Sequence, residues 1–368
     1  VKFALFYHSL ISDWNHGNAH FLRGIVTELL DRGHDVAVYE PRDAWSVQNL
    51  VADHGAAPID DFHRAFPRLI STRYDAKLDL NEALDDADVV IVHEWNDHEL
   101  VRRIGAHRAR NGGYRLFFHD THHRAATDPR AMAGYDLDRY DGVLAYGAVI
   151  RDIYLSRGWA AEAWTWHEAA DVRVFHPRSG ARSGDLVWIG NWGDDERTAE
   201  LREFLIEPSR DLKLRTCIHG VRYPEAALAE LSDANIDYPG WLPNHRAPEV
   251  FSHYRFTVHV PRRPYVETLR GIPTIRPFEA LACGIPLISA PWEDSEHLFT
   301  PGADFLVARN GNEMRRQMRA VMHDDDLAAS LISHGLNTIL ERHTCAHRVD
   351  QLLDIVGVPE QQLAEQIR

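Results

Sequence analysis

Short apolar runs alternate with amphipathic helical stretches along almost the whole chain, and they do so in two successive sets. Residues 2–7 read as a first buried strand. After it Phe21, Leu22, Ile25, Val26, Leu29 and Leu30 recur at helical spacing, Gly33 stops the helix, and residues 36–39 form the next strand. Runs at 89–92, 116–118 and 143–146 follow, each separated by helical sequence. Such alternation specifies a parallel sheet covered by helices on both faces. A second set begins at 185–189 and continues at 212–217, 256–260, 287–289 and 305–307. Between the sets lies Pro177-Arg178-Ser179-Gly180-Ala181-Arg182-Ser183-Gly184, a linker by composition. After Asp324 the pattern is nearly all helical. The expectation is an α/β chain of two doubly wound, Rossmann-like domains, 1–165 and 185–345. A linker at 166–184 joins them, and 346–368 form terminal helices. A length of 368 residues suits two cores better than one.

Composition narrows the function. With 40 basic and 55 acidic residues, the formal charge is −15. Nucleic-acid binding needs a basic surface or stripe, so nucleic acid is not an expected partner. One basic cleft for a small phosphate ligand stays compatible with that charge. No apolar stretch approaches the roughly 20 residues of a membrane-spanning helix. The first residues lack the long apolar region and cleavage site of a secretory signal. Cys217, Cys283 and Cys345 are too scattered for a disulfide framework or a zinc spacing. A reducing cytoplasm is the expected compartment.

Ligands of open parallel sheets bind beyond the carboxyl ends of the strands. The first such loop carries Asp13, His16 and Gly17, with Asp13 and His16 in reach of an acceptor and Gly17 allowing close backbone approach. No G-x-G-x-x-G occurs, so a dinucleotide fingerprint is absent even though Glu40 ends the second strand. The most informative stretch is Arg276-Pro277-Phe278-Glu279-Ala280-Leu281-Ala282-Cys283-Gly284-Ile285-Pro286. Pro277 suits a first helical position, Gly284 and Pro286 a sharp stop, and Glu279 a first-turn acid favoured by the helix dipole. Two readings stay open for Glu279. It is either a structural helix-start acid or, with the amides around Thr274, Ile275 and Arg276, a holder of ribose hydroxyls and phosphates.

Residues 278–286 resemble the donor-binding helix of glycosyltransferases of the GT-B fold, family 4 type. Tyr238-Pro239-Gly240-Trp241-Leu242-Pro243-Asn244 resembles the loop preceding it. His167-Glu168-Ala169-Ala170-Asp171, with Phe175 and Pro177, resembles the interdomain segment. Trp188-Ile189-Gly190-Asn191 through Arg197 is similar to the first strand and loop of the second domain. The Arg-x-Phe-Glu-Ala run is closest to the CgeB-like group. The resemblance implies two Rossmann-like domains facing across a cleft, with the C-terminal helices crossing back to the first. It implies metal-independent transfer of a sugar from a nucleotide sugar, with a UDP-sugar as the expected donor and no cofactor beyond it. Arg197 and Arg276 would hold the diphosphate, Glu279 the ribose, and Asn191, Trp241, Leu242, Thr274 and Ile275 the rest of the nucleotide sugar. His119 and His93, at strand ends of the first domain, would be catalytic together with Asp13. One departure stands out. The family's first glutamate, which contacts the transferred sugar, falls on Gly271, so the retaining outcome of classical members does not carry over securely.

Other readings coexist with this one. The cluster His119-Asp120-Thr121-His122-His123 offers ligand types for zinc or manganese, but adjacent residues in one loop seldom converge on one ion, so no metal site is expected. Arg102, Arg103, Arg108, Arg110 and Arg115 form a basic run, open either to an anionic lipid or acceptor or simply to solvent. The same fold serves epimerases, phosphorylases and non-catalytic partner subunits. The acceptor, whether glycan, protein, lipid or small molecule, is not identified, nor is the oligomeric state.

Overall fold

Parallel strands that are apolar on both faces need helices above and below, and the chain meets that demand twice. In the computed structural model, which describes residues 1–15 and 17–357, one unit comprises residues 1–168 with the segment from residue 345, and the other residues 169–344. His16 and residues 358–368 of the expected terminal helices lie outside the described residues.

Unit 1 holds strands β1 (Lys2–Phe6), β2 (Asp35–Pro41), β3 (Ser71–Tyr74), β4 (Val89–His93), β5 (Arg115–Asp120), β6 (Gly142–Ala145) and β7 (Ala163–Thr165). All pair in parallel, in the order β3-β2-β1-β4-β5-β6-β7. The order reverses direction between β1 and β4, where Phe3 lies opposite Val89. Helix Ala19–Asp31 buries Phe21, Leu22, Ile25, Val26 and Leu29, the face its periodicity indicates. The last described helix, Cys345–Val356, also belongs to this unit. Arg32 pairs with Asp350 at 2.5 Å, the Trp166 indole donates to the Arg348 carbonyl at 2.8 Å, and Arg348 donates to the His167 carbonyl at 2.9 Å.

Unit 2 holds β8 (Leu186–Ile189), β9 (Thr216–His219), β10 (Asp237–Gly240), β11 (Phe256–His259), β12 (Leu287–Ser289) and β13 (Leu306–Val307), again parallel, in the order β10-β9-β8-β11-β12-β13. The pleat of β8 divides its side chains between two cores. Leu186 and Trp188 pack with Phe204, Leu205 and Met314, while Val187 and Ile189 pack with Phe278, Leu281 and Phe305. The strand expected at 212–217 runs instead over Thr216–His219, because Leu212 closes helix Glu207–Asp211. The Ser/Gly/Arg-rich run is tied down at its end, where the Ser183 and Gly184 amides donate to the His253 carbonyl. Upstream of it, Ala170 pairs with Thr344 and Phe175 is buried in a core of unit 2.

Candidate functional site

The order of the second sheet reverses between β8 and β11, so the loops leaving these strands diverge and open a crevice at their carboxyl ends. Gly190 follows β8 and Gly220 follows β9. A Cβ on Gly220 would lie 2.0 Å from the Gly190 carbonyl oxygen, so only glycine lets the two backbones come this close. Asn191 fastens the pair, its side-chain oxygen accepting the Val221 amide at 3.0 Å.

Arg197 sits against this crossing. Its guanidinium donates to the carbonyls of Asn191, Trp192 (3.4 Å) and Val260 (3.1 Å) and lies 5.0 Å from the centre of the Trp188 ring. Three of its five N–H bonds are thereby used, and no carboxylate pairs with it among the described residues. Burial, reinforced by the charges of Arg262 and Arg276, pushes its pKa down to about 9. It is therefore a cation at neutral pH whose surroundings disfavour its charge, with two donors left over. An anion placed there would supply the missing compensation.

Sequence reasoning missed His259, at the end of β11. It is 4% exposed, and its Nδ1 lies 3.0 Å from the Ser289 hydroxyl, which donates onward to the Ala290 carbonyl. That chain places the imidazole proton on Nδ1 and leaves Nε2 as a buried acceptor with no partner. Burial and the charge of Arg197 hold its pKa down at about 3. The signal available in sequence was only a histidine ending a strand, one of 23 in the chain.

The expected donor-binding helix is present as Ile275–Ala282. It begins two residues before Pro277, which occupies the third helical position, where an amide would still lack an intrahelical partner. Glu279 is therefore the fifth residue of the helix and not a first-turn acid. What holds its fully buried carboxylate is specific: Asn244 donates to it at 2.7 Å, and Arg276 pairs with it from one turn earlier. The loop ahead of the helix is strained at Thr274, with φ 56°, while Gly271 takes φ 93°, which a residue without a side chain adopts freely. Ile275 is buried. Trp241 and Leu242, half-buried, lie in the segment from β10 to Asn244. The structure thus gathers Asn244, Arg276 and Glu279 in one group, and Asn191 and Arg197 in another. Trp192 is buried in the core, its ring 5.4 Å from that of Tyr223.

In unit 1 the strand ends bring His93 and His119 together around Tyr7. The Tyr7 ring stacks on His93 at 4.8 Å, its hydroxyl lies 2.7 Å from His119 Nδ1, and the two imidazoles are 5.6 Å apart. His93 Nε2 meets Thr121 at 2.9 Å. If the Tyr7 hydroxyl donates to Nδ1, one buried group, the His119 Nε2–H, is left unmatched. The reverse arrangement leaves two, so the first prevails. Burial drives the His119 pKa to about 3, so this ring is neutral and presents N–H.

Asp13 forms a buried ion pair with Arg23 at 2.8 Å, while Arg23 also donates to the Leu10 and Ile11 carbonyls. Glu40 accepts the Leu10 and Ile11 amides and the Ser71 hydroxyl. Both acids brace the first loop. Gly17 lies in that loop just before helix Ala19–Asp31, its carbonyl accepting the His20 amide at 3.4 Å. His119 and Asp120, consecutive in β5, point to opposite faces. Asp120 accepts from Tyr154 (2.9 Å) and the His122 amide (3.0 Å), so the two side chains do not converge on one ion. Burial raises the Asp120 pKa and, with the charge of Asp120, that of Glu94, a rise that the Arg124 guanidinium paired with Glu94 opposes. Much of the basic run is answered locally. Arg102 pairs with Glu99, Arg103 donates to the Ala76 and Leu78 carbonyls, and Arg108 and Arg115 meet Asp141. No helix among the described residues is long and apolar enough to cross a membrane.

Comparison with known proteins adds to this geometry. A family described as glycosyl transferase-like matches residues 197–354, which is less than half of the chain. No curated protein matches in sequence. Among solved structures, an alpha-glucosyltransferase in complex with UDP-glucose and DNA containing an abasic site has a TM-score of 0.71 at 12% identity, covering 97% of this chain and 99% of its own. Sucrose-phosphate synthase from Thermosynechococcus elongatus has a TM-score of 0.65 at 14% identity over 100% and 98%. Anabaena Alr3699/HepE in complex with UDP-glucose has a TM-score of 0.66 at 11% identity over 97% and 100%. At these identities the likeness speaks for architecture. The chain has the two-sheet α/β fold of the GT-B glycosyltransferases, and a glycosyl transferase-like match begins at Arg197.

Proposed function

We propose that the chain is a glycosyltransferase that takes its sugar from a UDP-sugar bound at the carboxyl ends of β8 and β11. The observation that carries this reading is Arg197, a cation with two unused donors and no carboxylate partner among the described residues, held by backbone carbonyls at a sheet switch point. A diphosphate is the ligand such a group suits, and the charge that develops on a departing nucleotide is what it would stabilise. Asn191 keeps the loop in shape. Arg276 swings between Glu279 and a phosphate, freeing the Glu279 carboxylate to accept two ribose hydroxyls, with Trp241, Leu242, Thr274 and Ile275 around the nucleotide. Because the compensating charges are arginines, the reaction needs no metal. The Arg276-Pro277-Phe278-Glu279-Ala280 run supports placement near the CgeB-like group, and three buried free cysteines suit a reducing cytoplasm.

The test is calorimetry of the full chain with UDP, ADP, GDP and UDP-glucose, with and without EDTA. Selective UDP binding, unchanged by EDTA, is the expected outcome. Absence of binding by every nucleotide to folded protein sinks the donor assignment. Glu279→Ala should lower UDP affinity by about tenfold to a hundredfold, the value of one charge-assisted hydrogen bond at about 1.5–3 kcal/mol. Unchanged affinity in a folded variant removes the ribose role.

In unit 1, His119 serves as a neutral hydrogen-bond donor and His93 supports it through Tyr7. A histidine with a pKa near 3 keeps one protonation state from pH 5 to 9. The rate of donor hydrolysis or transfer should accordingly show no inflection near pH 6.5, and His119→Ala should lower that rate. An acid limb near pH 6.5 that vanishes in His119→Ala would instead make His119 a proton carrier.

A further inference from the structure

We infer that unit 1 carries an acceptor site for a neutral saccharide, built on Trp45 and Trp95. Trp14, Trp45 and Trp95 stand in the segments that follow β1, β2 and β4, three neighbouring strands that flank the switch point of the first sheet. The Trp14 and Trp45 rings are 6.0 Å apart at 75°, and Trp45 and Trp95 are 6.4 Å apart at 70°. His8 stacks on Trp45 at 4.7 Å, and His122 meets Trp95 at 5.3 Å.

Packing alone does not account for this group. Trp166, Trp188, Trp192 and Trp292 are buried in cores, whereas Trp45 and Trp95 are half-buried side by side where open sheets bind ligands. Trp14 is anchored, its indole donating to Asp53 at 2.9 Å. The indole N–H groups of Trp45 and Trp95 have no partner among the described residues.

The chemistry of the patch selects its occupant. Rings set nearly at right angles make a corner with two apolar walls, which suits a thick, chair-shaped ring better than a flat one sandwiched between parallel planes. A pyranose has an apolar C–H face for such a wall and a rim of oxygens for two indole N–H donors. Charge points the same way. Arg23 is paired with Asp13, and Arg124, 4.2 Å over the Trp95 ring, is paired with Glu94. Neither cation is left for a phosphate or carboxylate, and the chain carries −15 overall. As an acceptor site it rests on the glycosyltransferase reading; as a saccharide site it stands on the aromatic corner.

The experiment is a printed array of neutral and acidic glycans probed with the UDP-loaded full chain, followed by tryptophan-fluorescence titration of the best neutral glycan. The same array and titration include p-nitrophenol and a single-stranded oligonucleotide as flat-ring probes. Neutral glycans should bind, and Trp45→Ala and Trp95→Ala should each weaken binding at least tenfold while UDP affinity stays within twofold. Trp45→Phe and Trp95→Phe keep a wall and should lose less, which separates stacking from misfolding. No neutral glycan bound, equal binding by the alanine variants, or preference for acidic glycans or flat rings each overturns the inference. UDP binding without glycan binding refutes this site alone. Glycan binding without UDP binding upholds the corner and refutes the donor site.

Discussion

Arg197→Ala should reduce UDP affinity at least a hundredfold. Two free N–H groups of a half-buried guanidinium, meeting phosphate oxygens, are worth about 1.5–3 kcal/mol each, and every 1.4 kcal/mol is about tenfold in affinity. The substitution also strips hydrogen bonds from the Asn191, Trp192 and Val260 carbonyls, so stability falls as well, by about 1–3 kcal/mol. Arg197→Lys separates the two effects. A lysine restores a charge but offers three donors from one nitrogen, and cannot serve three carbonyls and a diphosphate together. It should recover part of the stability and little of the affinity. Urea unfolding beside calorimetry gives both quantities. UDP affinity within threefold of the parent in folded Arg197→Ala would remove Arg197 from the phosphate site.

Gly271→Glu, which restores a carboxylate where the resembling family has one, should cost unit 2 about 2–5 kcal/mol and bring no gain in turnover. Gly271 has φ 93°, which costs a residue with a side chain about 1–2 kcal/mol. Its added Cβ would lie 2.6 Å from Ser295 Oγ and 3.1 Å from Glu296 Cγ, and such overpacking costs about 1–3 kcal/mol more. Gly271→Ala should show most of the loss, and Gly271→Ala with Ser295→Gly should recover the steric share but not the dihedral share. Scanning calorimetry reads the drop in melting temperature, about 2–4 °C per kcal/mol for a unit of this size. A Gly271→Glu protein as stable as the parent, with faster donor turnover, would show that the loop accepts the family's carboxylate. The glycine at this position is therefore a built feature of the loop, fixed by Ser295 and Glu296.

The sequence made most of the central framework readable, because strands buried on both faces are written as continuous apolar runs such as 89–92. The strands it concealed were β3 (Ser71–Tyr74), β7 (Ala163–Thr165) and β10 (Asp237–Gly240), all at sheet edges. An edge strand needs one neighbour and little burial, so Ser71-Thr72-Arg73-Tyr74 and Asp237-Tyr238-Pro239-Gly240 carry no apolar run to betray them. Within the site, Arg197, Arg276 and Glu279 were singled out because their segments resemble those of a known family, while the helix start expected at Pro277 lies two residues earlier. Asn244, Tyr7 and His259 were not, since each acts through a partner far along the chain: Asn244 through Glu279, Tyr7 through His119, and His259 through Ser289. Hydrogen-bond partnership at long sequence separation leaves no periodicity to read.

The return of helix Cys345–Val356 to unit 1 sets the order in which a growing chain can complete its folds. Residues 169–344 form one uninterrupted segment, so unit 2 has all its parts as soon as it leaves the ribosome. Unit 1 is begun first and finished last. Until this helix emerges, the Trp166 indole, the His167 carbonyl and Arg32 wait for Arg348 and Asp350. A fragment ending before Cys345 would carry a finished second unit behind an unfinished first one, and a fragment spanning 169–344 is the piece best suited to stand alone.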